Sequence, residues 1–250
     1  MATFYTDTTA TIAGQTLFIS SANMSATRDF QPVRAIGYKG IIGMVPSGPP
    51  GGSASFDFTG GGPAQATFNK ETTTAVAIGG QGGDGYCESV SITVEPNQVS
   101  NGSMSFVFFE PPNTTGGAGG GAAASGGGKI FDGGHGAGSS INGTAAGQRG
   151  EYSFNSSWDA IYKIGDFCPV FKYRSEATQS LSVEGDAISI TIDPCATKCP
   201  STAGLSFSLG SLCKGAIQTY AVNGFATESS ISVSTDGILS GSASVTEFLA

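Results

Sequence analysis

The sequence predicts an all-β protein, an antiparallel β-sandwich or barrel with at most one short helix. Three observations carry this expectation. The 250 residues include 39 Gly and 11 Pro, and Gly in a helix interior costs about 1 kcal/mol relative to Ala. Only 12% of residues are charged while 39% are hydrophobic, which excludes a chain held open by charge and by lack of apolar surface. Short runs alternate Ser or Thr with Phe, Val or Ile, the period of a strand with one face buried and one face wet.

The elements follow in order. Thr11-Ile12 and Leu17-Phe18-Ile19 flank Ala13-Gly14-Gln15 and read as a hairpin. Ile36 to Val45 is apolar but interrupted by Gly37, Gly40 and Gly43, and with Pro46, Pro49 and Pro50 it reads as a Gly/Pro arm. Strict alternation marks strands at Ser53 to Phe58, Ser91 to Val94 and Ser103 to Phe108. Ser156 to Lys163 spaces apolar residues at i, i+3 and i+4 behind a Ser cap, so a short helix is expected there. Strands return at Gln179 to Val183, Ala187 to Ile192, Leu205 to Leu209, Ala216 to Val222, Ser230 to Val233 and Ser242 to Phe248. Glu184-Gly185-Asp186 and Asp236-Gly237 are the expected turns among them.

Residues 116–150 differ in kind, with 15 Gly among 35 residues. From Gly116 to Gly128 no side chain is larger than Ser, so this stretch has nothing to add to a hydrophobic core. It reads as an insertion or linker, the alternative being Gly-rich strands packed at close backbone approach. The organisation expected is a first β unit over 1–115, the Gly-rich segment over 116–150, and a second β region over 151–250.

The second region echoes the first. At an offset of 139, Asp84-Gly85-Tyr86 lies over Asn223-Gly224-Phe225, and Ser91-Ile92-Thr93-Val94 over Ser230-Ile231-Ser232-Val233. Gly102 to Phe106 lies over Gly241 to Val245 at the same offset. A second echo, at 171, sets Thr11 to Ile19 over Ser182 to Ile190. Two related units, residues 8–110 and roughly 179–250, would explain both. Chance matching of amphipathic Ser/Thr strands is the competing explanation.

Chemistry-bearing patterns are sparse. Eleven Lys and Arg stand against 19 Asp and Glu, a net charge of −8, without the basic cluster that binding to nucleic acid requires. The N-terminus has neither the basic nor the apolar part of a secretory signal, and no run of 18 apolar residues suits a membrane helix. Synthesis in the cytosol is therefore expected, and the Asn-x-Ser/Thr sites at Asn23, Asn101, Asn113, Asn142 and Asn155 carry little weight. The single histidine, His135, sits in Asp132-Gly133-Gly134-His135-Gly136, where nothing fixes the geometry a general base or metal ligand needs.

Gly80-Gln81-Gly82-Gly83-Asp84-Gly85 matches a dinucleotide fingerprint, but a strand pattern follows where a helix N-terminus would have to hold the phosphates. Gly128-Lys129 is followed by Ile130, so the hydroxyl of a phosphate loop is missing. Cys87, Cys168, Cys195, Cys199 and Cys213 are odd in number, leaving one unpaired. The last four could be zinc ligands, a disulfide could join two, or all could be buried thiols. No catalytic, cofactor-binding or metal-binding residue is assigned, and a non-enzymatic protein is expected.

Thr11-Ile12-Ala13-Gly14-Gln15-Thr16-Leu17-Phe18-Ile19, followed by Ser21-Ala22-Asn23-Met24-Ser25, resembles the start of bacteriophage tail tube proteins, where a strand and a Gly-polar turn precede a Ser-rich second strand. Glu228 to Val245 is similar to the closing hairpin of that family. The likeness covers about 60 residues at the two ends; the Gly-rich segment and the cysteines of 168–213 have no counterpart in it. It implies a tail-tube-type β-sandwich or barrel and a homo-oligomeric virion protein, made in the host cytoplasm. Subunits of the family form stacked rings around a channel for DNA, and members with two units per chain close a sixfold-like ring from three chains. It also implies other virion proteins as partners, with no cofactor, no membrane and no sequence-specific DNA binding. The arm from Gly37 to Gly52 is the expected contact between rings. Alternatives are a capsid decoration or tail fibre protein, and a carbohydrate-binding adhesin module.

Overall fold

Period-two alternation becomes strand along most of the chain. In a computed structural model, residues 9–47, 49–78, 81–95, 98–112, 131–132, 140–141, 147–164, 166, 168–186, 188, 202–211, 217–233 and 239–249 are described. The first half comprises β1 (Thr9–Ile12), β2 (Gln15–Thr27), β3 (Phe30–Val33), β4 (Gly43–Pro46), β5 (Gly51–Thr59), the single helical turn α1 (Gln65–Phe68), β6 (Thr74–Ile78), β7 (Gln81–Val94) and β8 (Asn101–Phe108). The remainder comprises β9 (Phe131–Asp132), β10 (Ser140–Ile141), β11 (Gly147–Ile161), β12 (Phe171–Asp186), β13 (Thr202–Ser211), β14 (Ile217–Val233) and β15 (Leu239–Leu249). The expected all-β class is what the chain adopts. Ala13 and Gly14 close the first hairpin, both at positive φ (49° and 78°), the backbone that a two-residue turn between right-twisted strands requires.

Every strand pairing is antiparallel. β1, β2, β5, β8, β7 and β6 close into a six-stranded barrel, β6 returning to β1. β7 outlasts β6: its residues from Ser89 to Val94 pair instead with β11, and the sheet continues through β12, β15, β14 and β13. The short β10 and β9 pair with β13, while β3 and β4 form a separate ribbon.

Both halves have one connectivity. The path β1-β6-β7-β8-β5-β2 is matched, element for element and in the same chain order, by β10-β13-β14-β15-β12-β11. Register agrees as well: Ser91 opposes Ser103 as Ser230 opposes Ser242, and Cys87 opposes Phe106 as Ala226 opposes Val245. Each hairpin has a bulge at the same place, between Cys87 and Ser89 and between Ala226 and Glu228. These are the positions that the 139-residue echo superposes. The one difference is closure, since β1 pairs with β2 whereas β10 lies beside β11 without a ladder among the described residues.

Three local expectations are corrected. Ser156 to Lys163 is not helical, because β11 runs through Ile161 and its backbone is paired on both sides, with β7 and β12. The helical turn lies instead at Gln65–Phe68. Glu184-Gly185-Asp186 is not a turn but the end of β12, opposite Ser242, Gly241 and Ser240. The 171-residue echo therefore fails: the pairing equates β12 with β5, not with the β1–β2 hairpin. Ala216 to Val222 and Ser230 to Val233 belong to the single strand β14. Asp236-Gly237, most of Ala187 to Ile192 and most of the Gly-rich segment lie outside the described residues.

The inward faces share one apolar core, including Phe56, Phe58, Phe106 and Ile92 from the barrel and Tyr152, Phe154, Leu181 and Val245 from the second sheet. The β5–β6 connection binds the halves together. Phe68 of α1 packs its ring 5.8 Å from Tyr152 and 5.4 Å from Phe154. Gly62 is wedged so closely that a Cβ there would lie 2.7 Å from Ile92 Cδ1, so only Gly fits.

Candidate functional surfaces

A network of amides and phenols joins the β5–β6 connection to the second sheet. Gln65 Nε2 donates to the Ala221 carbonyl (2.7 Å) and to Gln179 Oε1 (3.0 Å), while its own Oε1 accepts the Ala221 N–H (3.1 Å). The amide thus acts as one more strand residue on β14. Buried Gln179 also accepts from Tyr152 Oη (2.9 Å) and donates to Glu247 Oε2 (2.7 Å). Tyr220 Oη donates to the Pro63 carbonyl (3.0 Å), and Gln218 Nε2 donates to Tyr220 Oη (2.6 Å) and the Gly62 carbonyl (2.8 Å). Burial raises the Tyr152 and Tyr220 phenols above the usual tyrosine range, so both remain neutral hydrogen-bond donors. This network is architecture, a satisfied polar seam between two β units.

The outward side of the sheet is the largest ordered feature of the molecule. β2, β5, β8, β7, β11, β12, β15 and β14 form one continuous path, and their alternate residues share a polar face. One row runs Ser21, Asp57, Ser103, Ser91, Ser153, Ser180 and Thr246 through successive register pairs. Hydroxyl pairs bridge many of the strands, among them Ser25–Ser53 (3.0 Å), Ser89–Ser105 (2.8 Å), Ser91–Ser103 (3.0 Å), Ser153–Ser180 (2.7 Å) and Ser230–Ser242 (2.7 Å). Ser21 donates to Asp57 Oδ2 at 2.5 Å. Asp57, Glu151, Glu184, Asp186 and Glu228 fall on this face by register, against the single base Arg149, which itself pairs with Glu151 at 3.3 Å. Val107, Phe225 and Phe248 are its apolar exceptions.

A shallow cleft of about 330 Å³ indents the face where β7 bulges, lined by Glu88, Ser89, Asn155, Ser156, Ser157, Glu176 and Thr178. Burial raises the Glu88 carboxyl above the usual range. The cleft holds two carboxylates and a set of hydroxyls and amides, with neither histidine nor thiol nor base among its lining residues.

Two arms leave the sheet at equivalent places. The β2–β5 connection carries the β3–β4 ribbon, on which Phe30, Ile36, Tyr38, Ile41, Ile42, Met44 and Val45 are exposed. The β11–β12 connection exposes Tyr162, Ile164 and Val170, with Ile161 and Phe171 at its strand ends. The sequence pointed to the first arm. The second was missed because Trp158, Ile161 and Tyr162 mimic a helix period; its signal was the apolar run Ile161 to Phe171 broken by Gly165 and Pro169, the composition of the first arm.

Of the residues weighed for chemistry, Cys87 is buried with its thiol pushed up by burial, and Cys168 is an exposed free thiol. His135, Gly128-Lys129, Cys195, Cys199 and Cys213 lie outside the described residues. The fingerprint glycines Gly82, Gly83 and Gly85 are strand residues of β7 paired with β6, so no helix N-terminus stands behind them. Among the described residues no group of three or more His, Cys, Asp or Glu is placed to hold a metal, and no helix is long and apolar enough to cross a membrane. Neither protein-family models nor curated proteins give a match to this chain.

Proposed function

We propose that the chain is a non-enzymatic virion structural protein, a tail tube subunit that assembles into stacked rings around a channel for DNA. The continuous hydroxyl and carboxylate face of the eight-strand path is the observation that carries this reading. A channel for a polyanion must neither hold it nor present apolar patches to it. Hydroxyls already bonded to one another offer little to phosphate, and an excess of carboxylates over bases repels it. A basic face would have bound the strand in place.

The arms supply the second requirement of a stack. Contiguous exposed apolar side chains on a soluble protein mark an interaction surface, and both arms project from corresponding ends of their units, as axial contacts between rings demand. Two β units of like topology in one chain suit a ring in which three chains present six units. Negative-stain microscopy of the purified chain tests the reading. Rings or tubes with a stain-filled centre are expected, and isolated monomers or compact trimers, as a decoration, fibre or adhesin module would give, overturn it. Shortening the first arm by replacing residues 30–46 with a tight turn is expected to leave rings that no longer stack.

A further inference from the structure

The internal repeat assigns a partner to two bare sheet edges. β14 pairs with β13 only as far as Phe225, so beyond it one edge is open through Val233. β2 pairs with β1 only as far as Phe18, and one edge from Ile19 to Thr27 is likewise open among the described residues. These are the two ends of the eight-strand path. Open edges of this length normally carry Lys, Pro or a covering loop, yet Ser20 to Thr27 and Ala226 to Val233 contain neither Lys nor Pro, and Glu228 is their only charge.

The topology equates β14 with β7 and β2 with β11. Within the chain, those counterparts pair with each other: Ser91 opposes Ser153, Ile92 opposes Tyr152, and Val94 opposes Gly150. The junction between the two units is therefore already built once. Ile92 and Val94 are sealed in it, with exposures of 0% and 7%. Their counterparts Ile231 and Val233, on the bare edge of β14, stand 57% and 68% exposed. The side chains are the same and the neighbour is missing.

We infer that β14 of one chain pairs antiparallel with β2 of a second copy, repeating the β7–β11 junction head to tail. Carrying the internal register across places Ser230 opposite Ser25, Ile231 opposite Met24, Ser232 opposite Asn23 and Val233 opposite Ala22. Ile231 and Val233 then join Met24 on the core side, and the serines extend the hydroxyl rows onto the next chain. Strand direction permits this indefinitely. An even number of alternating strands leaves the last antiparallel to the first, so each addition continues the sheet, and curvature closes it into a ring.

This inference rests on the self-assembly proposed above, and the experiment separates the two. In a Cys168→Ser background, Ser25→Cys and Ser230→Cys are combined, and the assembled protein is treated with a short bis-maleimide. Denaturing gels should show a ladder of dimers and higher multimers with loss of the monomer band. Either single variant, and the pair Ser25→Cys with Ser180→Cys in mid-sheet, should show no more than the background. Ile231→Lys, which alters an already exposed side chain, should keep the strand circular dichroism and abolish rings. Rings without a ladder, or rings that survive Ile231→Lys, overturn the edge pairing and leave the assembly reading standing. A wild-type chain that stays monomeric overturns both.

Discussion

Phe68 is the sharpest test of how the two β units share a core. It is the one buried residue of α1, it belongs to the barrel's β5–β6 connection, and its ring contacts Tyr152 and Phe154 of β11. Phe68→Ala should cost about 3–5 kcal/mol for the lost transfer energy and the cavity. Two aromatic contacts worth about 0.5–1.5 kcal/mol each place the expected loss in the upper half of that range. Phe68→Leu keeps most of the volume and should cost less, about 1.5 kcal/mol. The assay is equilibrium urea unfolding below the assembly concentration, followed by far-UV ellipticity and by fluorescence of Trp158, the only tryptophan. Trp158 Nε1 donates to the Cys87 carbonyl at 2.8 Å, so its emission reports the β7–β11 junction. Both probes should shift together with an unchanged slope. A loss below about 1 kcal/mol, or a fluorescence transition that stays put while ellipticity moves, would refute the shared core.

Three further outcomes are expected. Tyr220→Phe removes the hydroxyl that serves the Pro63 carbonyl and should cost about 1–3 kcal/mol in the same unfolding assay, whereas Tyr152→Phe leaves Gln179 Oε1 still bonded to Gln65 and should cost about 1 kcal/mol or less. Equal losses would contradict that difference. In iodoacetamide labelling read by peptide mass spectrometry, Cys168 should react in the folded protein and Cys87 only after denaturant is added, because the Cys87 thiol is buried and raised by that burial; early labelling of Cys87 would show the junction opening locally. Glu88 has a carboxyl raised by burial, so its protonated form favours the folded state, a contribution present at low pH and lost as pH rises through the raised value. Glu88→Gln should therefore be more stable than the parent at neutral pH and match it near pH 4 (the acid end of the carboxylate range, roughly), and a gap that widens on acidification would reverse the assignment.

Strands were legible because alternation is written in side chains that must face either core or water, and no tertiary contact is needed to see it. Ser103 to Phe108 and Ser53 to Phe58 sit in β8 and β5 for that reason. Trp158 to Tyr162 misled because four positions fit a helix period as well as a strand end, and only pairing with β7 and β12 decides between them. The repeat was half legible. A gapless slide superposes β7–β8 on β14–β15, but Val76 pairs with Gly83 whereas its counterpart Leu205 pairs with the more distant Val222. That longer hairpin shifts the frame, so β2 and β5 could not fall on β11 and β12 at the same offset.

The assembly edges were invisible in the sequence for a different reason, and it is the one that gives them meaning. Ser91-Ile92-Thr93-Val94 and Ser230-Ile231-Ser232-Val233 are near copies, and each has the same hairpin partner and bulge. Composition, period and propensity therefore assign both the same fate, a half-buried strand with Ile and Val inside. Only the pairing shows that the first copy is sealed by β11 and the second by nothing in its own chain. Because the residues are equivalent, the difference in burial is a property of the neighbour and not of the side chains. A monomer would gain solubility by replacing Ile231 and Val233 with polar residues, at no loss to its own core. Their presence on a bare, uncharged edge makes sense once that edge is an internal junction of something larger than one chain.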